Sequence, residues 1–107
     1  VSLRVEFTAL ADADIDQLAL RIAQSNGTAA RRFVEIIGWV VELVAEHSGA
    51  GTLVFRAPAE LKGLRRYPIR GFRNHLLYYL ADAERVLVVR VLHGARRQRS
   101  ALLESRT

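Results

Sequence analysis

The chain has 107 residues, half of them hydrophobic, no cysteine and a formal net charge of +5. That composition suits one folded domain spanning residues 1–107, and it excludes a disulfide scaffold, a thiolate metal site and a disordered chain. No run reaches the roughly 18 apolar residues of a membrane span, and Val1-Ser2-Leu3-Arg4 lacks a signal-peptide layout, so the expected location is the cytoplasm, with no membrane partner.

Charge is divided unevenly. Residues 1–61 carry five arginines and eight carboxylates, a net of −3. Residues 62–107 carry eleven cations and three carboxylates, a net of +8, and only Lys62 is a lysine. An arginine-dominated half suggests an acidic or phosphate-bearing partner, because the guanidinium fork matches both groups bidentately. The plainer alternative is a solvated sheet face with surplus charge.

In chain order, Leu3 to Phe7 alternates apolar and polar residues, which predicts a half-buried strand. Thr8 is placed to cap a helix carrying Asp12, Asp14 and Asp16 early, where the helix dipole favours them. Ala11, Ile15, Leu18 and Ile22 form its apolar stripe, and Asn26-Gly27 is a stop signal. Thr28 is a candidate cap for a second helix, with Phe33, Ile36, Ile37, Val40, Leu43 and Val44 at helical spacing up to about His47. The short connection implies an antiparallel helical hairpin. Trp39 falls off the main stripe, at the rim of the core or of a partner groove.

Ser48 to Thr52 breaks the pattern, Pro58 prevents a restart, and Leu53-Val54-Phe55 is too short to classify. Three strands follow: Leu64–Ile69 with Pro68 suiting an edge or an end, Phe72–Leu80, and Glu84–His93. The last two are joined by a short break at 81–83 and are expected to pair as a hairpin. Both are apolar on alternating faces, so both faces require cover. The helical hairpin supplies one, and a tail from Ala95 to Glu104 is available for part of the other. The prediction is an α+β fold of order βααβββ, an antiparallel sheet against an N-terminal helical hairpin with an optional short C-terminal helix.

These residues resemble the ParE/RelE superfamily of toxins from type II toxin–antitoxin systems. Leu64-Arg65-Arg66-Tyr67-Pro68-Ile69, then Phe72 to Tyr79, then Arg90-Val91-Leu92-His93-Gly94-Ala95-Arg96 carry the likeness, which is closest to the ParE branch. The chain departs from the common pattern in Gln17-Leu18-Ala19, where an aromatic residue is frequent, and in a longer insertion around Leu53 to Glu60. The resemblance implies a toxin neutralised by a cognate antitoxin protein in a hetero-oligomer, with growth arrest and plasmid stabilisation as its biology. DNA gyrase is the implied target, and DNA is met only through the antitoxin or gyrase complex.

Two chemistries occur in this superfamily. RelE-like members cleave messenger RNA on the ribosome and need a proton acceptor, cations for the phosphate and an acid for the departing oxygen. Here the tail after Arg96 holds no tyrosine, histidine or lysine. ParE-like gyrase poisoning, with no catalytic residues, is therefore the favoured expectation. The ribonuclease alternative would use Arg73, Arg90, His93 and Arg96, although alternation along a regular strand puts Arg90 and His93 on opposite faces. A degenerate, non-toxic antitoxin-binding member is a third reading. His93 reads more plainly as a strand-end histidine hydrogen-bonded to the helical layer. The residues expected to meet antitoxin or target are Arg65, Tyr67, Arg73, Tyr79, Arg90, Arg96 and Arg97. Of Tyr78 and Tyr79, one is expected to face the helices and the other to face outward. No cofactor, metal-ligand spacing or phosphate-cradling glycine loop is implied.

Overall fold

A computed structural model of the chain describes residues 2–72, 74–94 and 98–104, the side chains of residues 98 and 99 excepted. Strand β1 (Arg4–Phe7) runs into helix α1 (Ala9–Ala23), and α2 (Gly27–Glu46) returns antiparallel to it. The remaining elements are β2 (Thr52–Leu53), a 3₁₀ turn (Ala59–Leu61), β3 (Arg65–Pro68), β4 (His75–Ala81), β5 (Arg85–His93) and α3 (Gln98–Glu104). Thr8 caps α1 as expected, its hydroxyl accepting from the Ala11 amide at 3.0 Å. The same hydroxyl donates to the Val89 carbonyl at 2.8 Å, so the start of the helix is tied to the sheet. The cap of α2 is Asn26, whose Oδ1 accepts from the Ala29 amide at 3.0 Å, rather than Thr28. An amide side chain competes well for exposed first-turn donors, and Asn26 accordingly starts one helix instead of stopping the other.

The sheet has five strands in the order β1-β5-β4-β3-β2. The hairpin of β4 and β5 and the pairing of β3 with β4 are antiparallel, as the sequence predicts. The sheet as a whole is mixed, because β1 lies parallel to β5 from Arg4↔Arg85 to Phe7↔Val88. The two helices and the rest of the sheet intervene between β1 and β5, and a connection of that length permits a parallel return. The short piece at residues 52–53 is an edge strand on β3. β4 starts at His75 rather than Phe72, because the His75 amide donates to the Phe72 carbonyl and the Ile69 amide to the His75 carbonyl, closing a turn ahead of the strand.

Both sheet faces are covered. On one, Ala11 of α1 and Phe33, Ile37, Val40 and Val44 of α2 pack on Leu77, Tyr79, Val86, Val88 and Val91. On the other, Leu61, Leu64 and Leu102 of α3 close over Tyr78 and Val89. Tyr78 and Tyr79 do face opposite sides, yet both are fully buried, which corrects the expectation of an outward tyrosine. The 3₁₀ turn and α3 form a second core that alternation within the strands could signal only as a need for cover. Among the described residues no helix is long and apolar enough to cross a membrane.

Candidate functional site

The register of β4 and β5 slips at Tyr78/Tyr79: Tyr78 faces Arg90 and Tyr79 faces Val88, leaving Val89 as a bulge. The bulge sits just past the end of β1, where β5 loses its parallel neighbour. Asp14 takes over there, its Oδ2 accepting from the Val91 amide at 3.0 Å. It also grips Arg90 bidentately, Nε to Oδ2 at 2.7 Å and Nη2 to Oδ1 at 2.8 Å. The Arg90 Nη1 donates to the Ala101 carbonyl of α3 at 2.9 Å. Arg90 is 8% exposed, and the Asp14 carboxylate beside it raises its pKa above the ordinary arginine value despite the opposing effect of burial. The expectation that Arg90 is displayed to a partner is corrected: in this fold it is a strut between α1, β5 and α3. A bulge re-aims the side chain next to it, and regular alternation could not reveal one.

Arg65 and Tyr79 hold the loop before β2. The Tyr79 hydroxyl donates to the Ser48 carbonyl at 2.7 Å and accepts from the Gly51 amide at 2.8 Å. Burial raises the Tyr79 pKa, partly opposed by the Gly51 bond and the Arg65 charge. Arg65 Nη1 donates to the Gly51 carbonyl at 2.6 Å. Tyr67 is half-buried on the hairpin side of β3. Of the expected contact residues, Arg65 and Tyr67 thus retain exposed surface, while Tyr79 and Arg90 are interior. Arg73, Arg96 and Arg97 lie outside the described residues.

His93 does not share the surroundings of Arg90. Its ring lies 4.5 Å from that of His75, its direct cross-strand partner, and His75 meets Phe33 edge-on at 5.4 Å. Phe72 completes this aromatic cluster at 5.0 Å from Phe33. Of the four residues named for RNA cleavage, Arg90 is held by Asp14 and His93 lies against the His75 ring, while Arg73 and Arg96 fall outside the described residues.

Two features escaped the sequence reading. One is a cleft of about 580 Å³ at the β3–β4 turn, lined by Arg66, Arg70, Asn74 and Gly94 among others. Burial raises the Tyr78 pKa, opposed by its cross-strand neighbour Arg66, and Arg70 lies 5.4 Å over the Trp39 ring. The other is an apolar groove between α1 and α2, built from Ala19, Leu20, Ala23, Ala30 and Val34 and rimmed by Asp16, Arg31 and Glu35. Leu20 is 67% and Val34 48% exposed, and together with the alanines they make an apolar patch of the kind that marks a docking surface. Leu20 and Val34 lie off the two core stripes, and that was the available signal. Among the described residues no group of three or more potential metal ligands occurs.

A sequence profile for the ParE toxin of type II toxin–antitoxin system, parDE, matches residues 5–98. Among solved structures, a chain of the chromosomal ParDE TA system from P. aeruginosa is similar with a TM-score of 0.69 at 17% identity, over 88% of this chain and 98% of that one. No curated protein matches the sequence significantly.

Proposed function

Because the chain belongs to the ParE toxin family of type II toxin–antitoxin systems, we propose that it is a toxin that a cognate antitoxin neutralises and that poisons DNA gyrase when released. The observation that carries the choice of poison over ribonuclease is the burial of Arg90 against Asp14. A cation tied bidentately to a carboxylate and to a helix carbonyl cannot also stabilise a phosphorane, and His93 lies away from it, its ring tilted against that of His75. What the described surface offers instead is binding chemistry: an apolar groove with a mixed-charge rim, exposed arginines and half-buried aromatics.

The antitoxin contact is assigned to the α1–α2 groove together with Arg65 and Tyr67. Ala19, Ala23 and Ala30 keep the groove floor low, and Leu20 and Val34 wall it, which suits an amphipathic helix laid along it. An antitoxin segment that folds only on docking would bury this surface at the cost of ordering itself, leaving the module responsive to antitoxin proteolysis. Arg73, Arg96 and Arg97 remain candidates for the target contact.

The test is induction without antitoxin, followed by supercoiling and cleavage assays with purified toxin and gyrase. Growth arrest with DNA-damage signalling and cleaved plasmid is expected. Intact plasmid at every toxin ratio, with transcripts cut in a translating extract, would replace this reading by the ribosome-dependent nuclease. Absence of growth arrest despite antitoxin binding would identify a degenerate member.

A further inference from the structure

The described arginines of β1, β3, β5 and the β3–β4 turn fall into two groups. Arg4 and Arg85 share Glu6, Arg90 is held by Asp14, and Arg65 bonds backbone carbonyls. Arg66 and Arg70 are different: among the described residues neither is paired with a carboxylate. Their neighbours are Tyr78, directly across the strands from Arg66, and the Trp39 ring, 5.4 Å from Arg70, both uncharged. These neighbours leave the charge of the two guanidinium groups uncompensated among the described residues. Both line the cleft at the β3–β4 turn, and no acidic residue lines it with them.

We propose that this cleft binds backbone phosphates of a nucleic-acid strand directly, with Arg66 and Arg70 as the charge-bearing groups. Guanidinium forks match phosphate oxygens bidentately. Gly71 and Gly94 line the cleft, and a Cβ added at either meets nothing within 4 Å. A repeating anion fits better than an isolated carboxylate, because further arginines neighbour the lining residues in sequence. Arg73 precedes Asn74, and Arg96 and Arg97 follow closely on Gly94. The inference extends the gyrase reading without requiring it, since the cleft would contact the nucleic acid with no enzyme present.

The experiment is fluorescence anisotropy of the full chain with labelled oligodeoxythymidine and oligouridine, in the absence of gyrase, across a salt series. Both probes are expected to bind at about 50 mM salt and weaken steeply toward about 200 mM. Arg66→Ala and Arg70→Ala are each expected to weaken binding several-fold and to flatten the logarithmic salt slope by about one. Arg66→Lys and Arg70→Lys keep the charge and should preserve most of that slope, with thermal melts checking that every variant is folded. The Arg66 and Arg70 effects should persist on an Arg96→Ala/Arg97→Ala background. Either absence of binding at low salt or an affinity and slope indifferent to Arg66 and Arg70 would overturn the proposal. Neither result bears on the gyrase assay, so the two readings fail separately.

Discussion

Asp14 and Arg90 stand 76 positions apart in sequence and meet through two hydrogen bonds of 2.7 and 2.8 Å, with side chains only 12% and 10% exposed. The same carboxylate accepts from the Val91 amide at the place where β5 has run out of neighbouring strand. One aspartate thus finishes a sheet edge and neutralises the one buried cation found among the described residues. Replacing it strands both a guanidinium and an amide. Asp14→Ala is expected to lower unfolding free energy by about 3–5 kcal/mol, the usual result of breaking a buried pair from one side. Urea denaturation of Asp14→Ala, Arg90→Met and the double variant checks it: the double should be less damaged than the sum of the singles.

Gly51 is required by proximity rather than by backbone conformation. A Cβ there would lie 2.7 Å from the Tyr79 hydroxyl oxygen and 2.8 Å from the Arg66 carbonyl, and the second of these is main chain that cannot swing away. Gly51→Ala should therefore destabilise by about 1–3 kcal/mol, in the range of overpacking. Thermal melts of Gly51→Ala and, as a control, Gly49→Ala would show it, since a Cβ at Gly49 meets nothing within 4 Å.

Alkaline stability should be governed by the two interior tyrosines. Burial pushes both hydroxyl pKa values up, opposed by Arg66 at Tyr78 and by Gly51 and Arg65 at Tyr79. Below the unfolded value of about 10 the phenols are neutral in both states, and the fold has its full stability. Above it the unfolded chain ionises first and is favoured, so stability falls as pH climbs toward the folded values. Urea midpoints between about pH 9 and 11.5 should decline, and Tyr78→Phe or Tyr79→Phe should each flatten part of that decline.

Leu20 separates docking from folding. Its side chain is 67% exposed on the groove wall, so Leu20→Asp should leave the melting temperature nearly unchanged. Antitoxin affinity, measured by calorimetry, should drop at least about tenfold, as a buried charge at an apolar interface would require. Unchanged affinity would move the antitoxin off this groove.

The layout was legible wherever local chemistry decides it. Thr8 caps the first helix, the stripes of both helices reach the core, and the β4–β5 hairpin follows from two apolar runs joined by a short break. The parallel placement of β1 was not legible, because strand direction after a long connection depends on the finished sheet. Asp14 read as a dipole-compensating residue of the first turns, and only tertiary proximity reveals its partner. Arg90 was misplaced for a related reason: the bulge at Val89 redirects it, and no residue type at that position announces an extra residue in the strand.

The slot that β5 fills, between β1 and β4, has a consequence for the order of events during synthesis. β1 has no neighbour until β5, the last strand of the described sheet, emerges, so the helical hairpin must wait with its apolar stripe unsupported by a completed floor. A nascent chain halted before Arg85 should therefore be open to protease, because the strand that joins β1 to the rest of the sheet is still missing.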